Sequence, residues 1–234
     1  MQRSYNQECS VAYALDLLGE RWTLLIVRQL LLGPQRFAEL LGALSGIGPN
    51  LLTKRLRKLE EARLIRKTEE GDRFSRYQLT PHGERIRPVL RELVRWSVGL
   101  LYTNEDPPPN RPQPPATDEI LCDTFMLLIE AFARSEHLGD RDFICRFDVE
   151  DKEYTVFFTD GRLTTRRGAL APASASVKTD RATARLILER RLSVEDALQQ
   201  GRVREEGDPA LLGRINRALL AGGDRHSVQN DAVA

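Results

Sequence analysis

The sequence predicts an α+β protein of two domains, and three observations lead to this. A proline-rich segment interrupts the chain near its middle, helical periodicity dominates before it, and strand-like alternation of apolar residues dominates after it. Hydrophobic residues make up 41% of the 234 residues, which suffices for a packed core and excludes a disordered chain.

The domain boundary follows from six prolines that lie within residues 106–115. Proline removes a backbone donor and fixes φ, so neither a helix nor a sheet continues through this segment. We therefore expect a first domain over residues 1–104, a linker over 105–117, a second domain over 118–222 and a flexible tail over 223–234.

Charge divides the chain in the same way. Residues 1–100 carry 17 Lys and Arg against 11 Asp and Glu, whereas residues 101–234 carry 18 against 23. This asymmetry favours a polyanionic partner for the first half alone.

In the first half, apolar periodicity predicts a series of helices. The first begins after Ser10 as its N-cap, three more cover residues 20–32, 36–44 and 50–62, and a fifth runs from Thr80 as N-cap to about residue 101. Between the last two, residues 64–68 and 76–80 flank a glycine-bearing loop and predict a β-hairpin.

The helix predicted at residues 50–62 has two different faces. Leu52, Leu56 and Leu59 recur at helical spacing and should face the core. The opposite face is polar and basic, and it consists of Asn50, Thr53, Lys54 and Arg57. A short helix, a glycine-containing turn and a basic helix form the helix-turn-helix pattern, whose second helix fits the major groove of DNA.

The predicted hairpin serves as the wing of such a domain. Arg73, Ser75 and Arg76 lie at its tip and on its returning strand, where they would meet phosphate or the minor groove. The order of helix, turn, basic helix and arginine-bearing hairpin favours DNA binding. The alternative is a winged helix used only for protein contacts.

Four segments resemble the HxlR-type winged helix-turn-helix regulators: LLGERWTLLI at 17–26, LLLGPQRFAEL at 30–40, LLTKRLRKLE at 51–60 and YQLTPHG at 77–83. That family consists of bacterial dimeric transcription regulators. The resemblance therefore implies a homodimer on a palindromic operator, with dimer contacts on residues 11–18 and 87–101.

Cys9 stands where many members of this family carry a cysteine, which in some of them senses oxidants or electrophiles. It precedes a predicted helix start, where the helix dipole lowers a thiol pKa. Against a sensing role, Glu8 is adjacent, and Ser10 follows where the family often has proline. A sensing cysteine and a merely tolerated one both stay open.

In the second half, strict alternation over residues 143–149 predicts a strand, and further strands are predicted at 154–159, 162–167, 173–179 and 201–207. Helices are expected over 117–134 and 181–190, after Ser193, and from Asp208-Pro209 to about residue 220. We expect an antiparallel meander beneath helices.

This half resembles the sterol-carrier-protein-2-like (SCP2-like) domains over about residues 118–221. The resemblance rests on Thr179-Asp180, on LSVEDAL at 192–198 with Gly201, and on GDPALL at 207–212. It implies either a pocket for an apolar ligand between sheet and helices or a protein interface. The pocket candidates, each of which can equally be ordinary core, are Phe157, Leu163, Leu186 and Leu198.

No arrangement of residues suggests an enzyme, a cofactor or a metal site, since the three histidines are scattered and no carboxylates pair for acid–base work. No apolar run is long enough to span a membrane, and the first residues lack the basic-then-apolar layout of a signal peptide, so we expect a cytoplasmic protein. The sequence thus favours a DNA-binding regulator, and the alternative is an apolar-ligand carrier or scaffold.

Overall fold

A computed structural model describes residues 4–68, 75–102, 118–189 and 191–223. The chain divides into two compact units between Trp96 and Ser97. The expected linker over residues 105–117 lies outside the described residues, as does the tail from residue 224 onward.

Over residues 4–68 and 75–102 the structure contains six helices and three short strands, and the sixth helix begins in the N-terminal unit. In chain order these are α1 (Ser10–Leu18), α2 (Thr23–Leu31), β1 (Gln35–Arg36), α3 (Phe37–Ala43), α4 (Pro49–Glu61), β2 (Ile65–Thr68), β3 (Arg76–Leu79), α5 (Pro81–Glu84) and α6 (Arg87–Tyr102). The strands form one antiparallel sheet in the order β1-β3-β2. The helix-turn-helix and the hairpin therefore stand where the sequence predicts them.

Three details of this unit differ from expectation. Cys9, not Ser10, is the N-cap residue of α1. α2 begins at Thr23 rather than at residue 20, because Trp22 adopts a left-handed conformation with φ of 80°. The single helix expected after Thr80 is broken into α5 and α6. Pro88 explains the break, because it has no N–H to donate and its ring collides with the carbonyl four residues earlier.

Within residues 118–189 and 191–223, the C-terminal unit places five strands beside four α-helices and one 3-10 turn. These are α7 (Asp118–Phe132), the 3-10 turn Ser135–His137, β4 (Phe143–Val149), β5 (Lys152–Thr159), β6 (Arg162–Arg167), β7 (Ala175–Thr179), α8 (Arg181–Leu188), α9 (Val194–Gln199), β8 (Val203–Gly207) and α10 (Pro209–Gly223). The core is formed by α7, α10 and the inward-facing side chains of the sheet, and α8 and α9 also contribute to it.

The sheet order is β6-β5-β4-β7-β8, and it corrects the expected antiparallel meander. β4 pairs with β7 in parallel, in the register Cys145 opposite Ala175, whereas the other neighbouring pairs in this sheet are antiparallel. The reason is the connection over residues 168–174. It returns the chain to the starting end of β4, so that β7 runs in the same direction as β4.

A buried polar cluster links α7 to the sheet. Asp123 accepts hydrogen bonds from the Tyr154 hydroxyl at 2.9 Å and from Nε of Arg167 at 3.1 Å. Nearby, buried Glu130 accepts the backbone N–H of Thr165 at 3.1 Å. Burial and the neighbouring Asp123 charge raise the pKa of Tyr154, so its hydroxyl remains a donor.

Among the helices of the described ranges, none is long and apolar enough to cross a membrane.

Candidate nucleic-acid interface

The candidate reading surface is the outer face of α4. Gly48 precedes the helix in an extended conformation, and Pro49 occupies the first turn, where its missing N–H costs nothing. Leu52, Leu56 and Leu59 are buried in the core, as predicted. The four predicted reading residues are all exposed and share one face: Asn50, Thr53, Lys54 and Arg57.

The wing stands on β2 and β3, with Thr68 directly opposite Arg76. The Thr68 hydroxyl donates to the Arg76 carbonyl at 3.3 Å, and Ser75 and Arg76 are half-buried at the start of β3. Arg73 lies outside the described residues, which omit residues 69–74. The structure therefore places two of the three predicted wing residues on this hairpin.

Arg36 is a residue of this region that the sequence argument missed. It lies on β1 directly opposite Arg76, because β1 pairs with the free side of β3. Cross-strand partners project from the same face of a sheet, so two guanidinium groups reinforce the positive potential there. A two-residue strand leaves no alternation in the sequence, and no local signal predicts this pairing.

The base of the wing is fixed by Thr80 and Gly83. The Thr80 hydroxyl accepts from the Gly83 N–H at 3.1 Å and donates to the Arg63 carbonyl at 2.7 Å, and the Thr80 N–H donates to the Leu64 carbonyl at 3.0 Å. These bonds join the end of α4, the end of β3 and the start of α5. They confirm Thr80 as the predicted N-cap, and they show why a threonine stands three residues before Gly83: its hydroxyl accepts the Gly83 N–H.

Cys9 is exposed at the start of α1. The backbone N–H groups of Ala12 and Val11 lower the pKa of its thiol, because they stabilise the thiolate. Burial has the opposite effect on the other two cysteines: it raises the pKa of Cys122, and it raises the pKa of Cys145 to about 12.

We expect iodoacetamide to alkylate Cys9 well before Cys122 and Cys145 in the folded chain. Because the pKa of Cys9 is lowered, its alkylation should also persist to lower pH than that of the same residue in urea-unfolded chain. Peptide mass mapping after timed alkylation across a pH series measures both effects. A Cys9 profile that coincides with the unfolded reference would contradict the lowered pKa.

The four candidate pocket residues do not come together. Leu163 is buried in the C-terminal core, and Leu198 packs against that core. Phe157 and Leu186 are half-buried. Leu163 is paired with Phe158, so the side chain of Phe157 projects from the other face of the sheet. A single pocket containing both Phe157 and Leu163 is therefore wrong.

An apolar cavity does adjoin Leu163, and Ile129, Phe143 and Val156 also line it. Its volume is about 10 Å³, about what one water molecule requires. The cavity has no room for an apolar ligand in this conformation.

Within the described ranges, no three His, Cys, Asp or Glu side chains gather as a metal site would require.

Comparison with known proteins supports the N-terminal architecture. The model of a family described as HxlR-like helix-turn-helix matches residues 17–105. The HTH-type transcriptional regulator YvaP of Bacillus subtilis is 37% identical over 87 residues, which cover 36% of this chain and 81% of that protein. An HTH-type regulator of Synechocystis is 38% identical over 84 residues, covering 35% of this chain and 62% of its own length.

Among solved structures, the reduced form of the transcriptional regulator YodB from Bacillus subtilis is similar at 29% identity and a TM-score of 0.36. The match covers 40% of this chain and 94% of that one. The chain thus spans most of YvaP and less than two thirds of the Synechocystis regulator.

Proposed function

Because the chain belongs to the HxlR-like helix-turn-helix family, whose relatives are named transcriptional regulators and not enzymes, we propose that it is a sequence-specific DNA-binding regulator. It binds a palindromic operator as a homodimer.

The observation that carries this proposal is the exposed face of α4. Lys54 and Arg57 lie one helical turn apart beside Asn50 and Thr53, and no described core residue interrupts that face. Arginine and lysine recognise guanine in the major groove, and asparagine recognises adenine. Ser75, Arg76 and the undescribed Arg73 would contact the backbone or the minor groove beside it.

Exposed apolar side chains support the homodimer. On α1, Val11 and Tyr13 are 67% and 66% exposed, and on α6 Trp96 is 66% exposed, with Val89 and Leu93 also exposed. Large apolar side chains of this number at a surface mark a protein interface. They fall on the two segments that the family resemblance assigns to the dimer.

Cys9 gives this regulator a candidate sensing thiol. Its exposure and its lowered pKa both favour reaction with oxidants or electrophiles, since the thiolate is the reactive species. Its position at the start of α1 would let such a reaction act on the proposed dimer surface.

For the C-terminal unit we propose an SCP2-like domain that contributes to oligomerisation or accepts an apolar effector. The single-water size of the cavity beside Leu163 favours the first role in this conformation. An effector at this cavity would need the α7 and α10 layer to move away from the sheet. Native mass spectrometry of the purified chain distinguishes the two, because an effector that co-purifies adds a fixed mass.

The test of DNA binding is fluorescence anisotropy with the DNA upstream of the chain's own gene and with a random duplex of equal length. We expect tight, saturable binding to the first and weaker binding to the second, with affinity falling steeply as salt rises. The steepness follows from release of counterions by each phosphate contact.

Equal and weak binding to both duplexes would overturn the proposal. Together with a co-purified apolar ligand, that outcome would favour the alternative of a carrier or scaffold whose winged helix contacts proteins.

A further inference from the structure

Arg55 lies on α4 but is not exposed like its neighbours on the reading face. Its side chain is only 8% exposed, and it points to the turn between α1 and α2. There Nη2 donates to the Glu20 carboxylate at 2.6 Å, and Nε donates to the Arg21 carbonyl at 3.2 Å. Lys58, one turn further along α4, approaches the other oxygen of Glu20 at 3.6 Å.

The turn that receives Arg55 is itself firmly held. A Cβ at Gly19 would come within 2.6 Å of the Leu15 carbonyl oxygen, so the chain leaves α1 along a path that only glycine permits. Trp22 is fixed in its left-handed conformation, and its ring packs against the N-terminal core. The Arg21 guanidinium lies over that ring at 5.3 Å from its centre.

Arg55 also stands opposite the reading face. At 100° per residue, it lies about 150° around the helix from the centre of the face formed by the four reading residues. A helix held at that point cannot roll without breaking the contacts to Glu20 and Arg21. Roll is the motion that would turn Lys54 and Arg57 away from the base edges.

We propose that Arg55, acting with Glu20, is a positioning residue for DNA recognition. It sets the rotation of α4 about its own axis and so determines which side chains meet the bases. This inference rests on the proposed function. It assigns Arg55 no contact with DNA, and it predicts a loss of discrimination between sequences in place of a uniform loss of affinity.

The experiment compares Arg55→Met, Arg55→Lys and Glu20→Gln in the full chain. Each variant is titrated with a duplex that the wild type selects from a random library and with an unselected duplex. Arg55→Met should lose about tenfold or more in affinity for the selected duplex, with affinity for the unselected one nearly unchanged. Arg55→Lys keeps the charge but loses the forked donor geometry of arginine. Its affinity for the selected duplex should therefore lie between those of Arg55→Met and the wild type.

Lys58→Met is the matched control, because it removes a cation that also faces Glu20 but is more exposed. It should leave the preference between the two duplexes unchanged. If Arg55→Met fails to fold, Glu20→Gln provides the test, since this side chain is 49% exposed and its loss should leave the fold intact. Glu20→Gln should reduce the preference for the selected duplex, as Arg55→Met does.

The outcomes separate the two proposals. If the wild type prefers no duplex over another, the proposed function fails and this inference fails with it. If the wild type prefers the selected duplex, and Arg55→Met and Glu20→Gln prefer it as strongly as the wild type does, only this inference is overturned. If affinity for both duplexes falls by the same factor, Arg55 has a structural role and does not position α4 for reading.

Discussion

Gly83→Ala is expected to lower the free energy of unfolding of the N-terminal unit by about 3 kcal/mol. A Cβ at this position would lie 2.0 Å from the Leu64 carbonyl oxygen and 3.0 Å from a methyl of Leu79. The closest atom belongs to the backbone and cannot rotate away as a side chain could. The turn after α4 and the start of α5 would have to separate, and the bonds of Thr80 would break.

Tryptophan fluorescence in urea measures this effect selectively, because both tryptophans of the chain, Trp22 and Trp96, belong to the N-terminal unit. The matched control is Gly42→Ala on α3, where a Cβ would meet no atom within 4 Å. Alanine favours a helix over glycine by roughly 1 kcal/mol, so the control should be neutral or slightly stabilising. Equal urea midpoints for both variants would contradict the close approach of α5 to Leu64.

The Gly83 contact also shows what the sequence can predict and what it cannot. The faces of α4 follow from spacing alone, and burial of Leu52, Leu56 and Leu59 confirms them. The need for glycine at residue 83 depends on a backbone that approaches from another part of the chain. No periodicity within residues 77–83 contains that information.

Arg55 is an intermediate case. An arginine is ordinarily exposed, so residue type alone places Arg55 neither in the core nor on the reading face. Yet it stands three residues after Leu52 and four before Leu59, which places it on the buried side of α4. Spacing could therefore have identified its burial, although not its contacts with Glu20 and Arg21.

The candidate pocket failed for a reason that the sequence does contain. Asp160 and Gly161 form a two-residue turn, and such a turn pairs Phe158 with Leu163. Because side chains alternate along a strand, Phe157 must then face away from Leu163. The parallel pairing of β4 with β7 is different, since it depends on the path of residues 168–174 and no local pattern specifies it.

Replacing Lys54 and Arg57 by alanine should produce the largest loss of DNA affinity that the proposed interface allows. Both side chains are exposed on the reading face of α4, and neither belongs to the core, so the fold should survive their removal. Each base contact contributes about 1–3 kcal/mol, so the double variant should bind its selected duplex about a hundredfold more weakly. Anisotropy titration of the full chain measures the loss.

The salt dependence of DNA affinity shows whether Lys54 and Arg57 each contact a base or a phosphate. Removing a side chain that reads a base weakens binding to the selected duplex most and hardly changes the salt dependence of affinity. Removing one that contacts phosphate weakens binding to both duplexes and lowers the slope of that salt dependence by about one. Lys178→Ala removes one positive charge from the C-terminal unit and serves as the control for net charge alone, with no change expected. If Lys54→Ala and Arg57→Ala also bind DNA like the wild type, α4 is not the recognition helix, and its exposed basic face serves another purpose, such as the protein contacts of the alternative function.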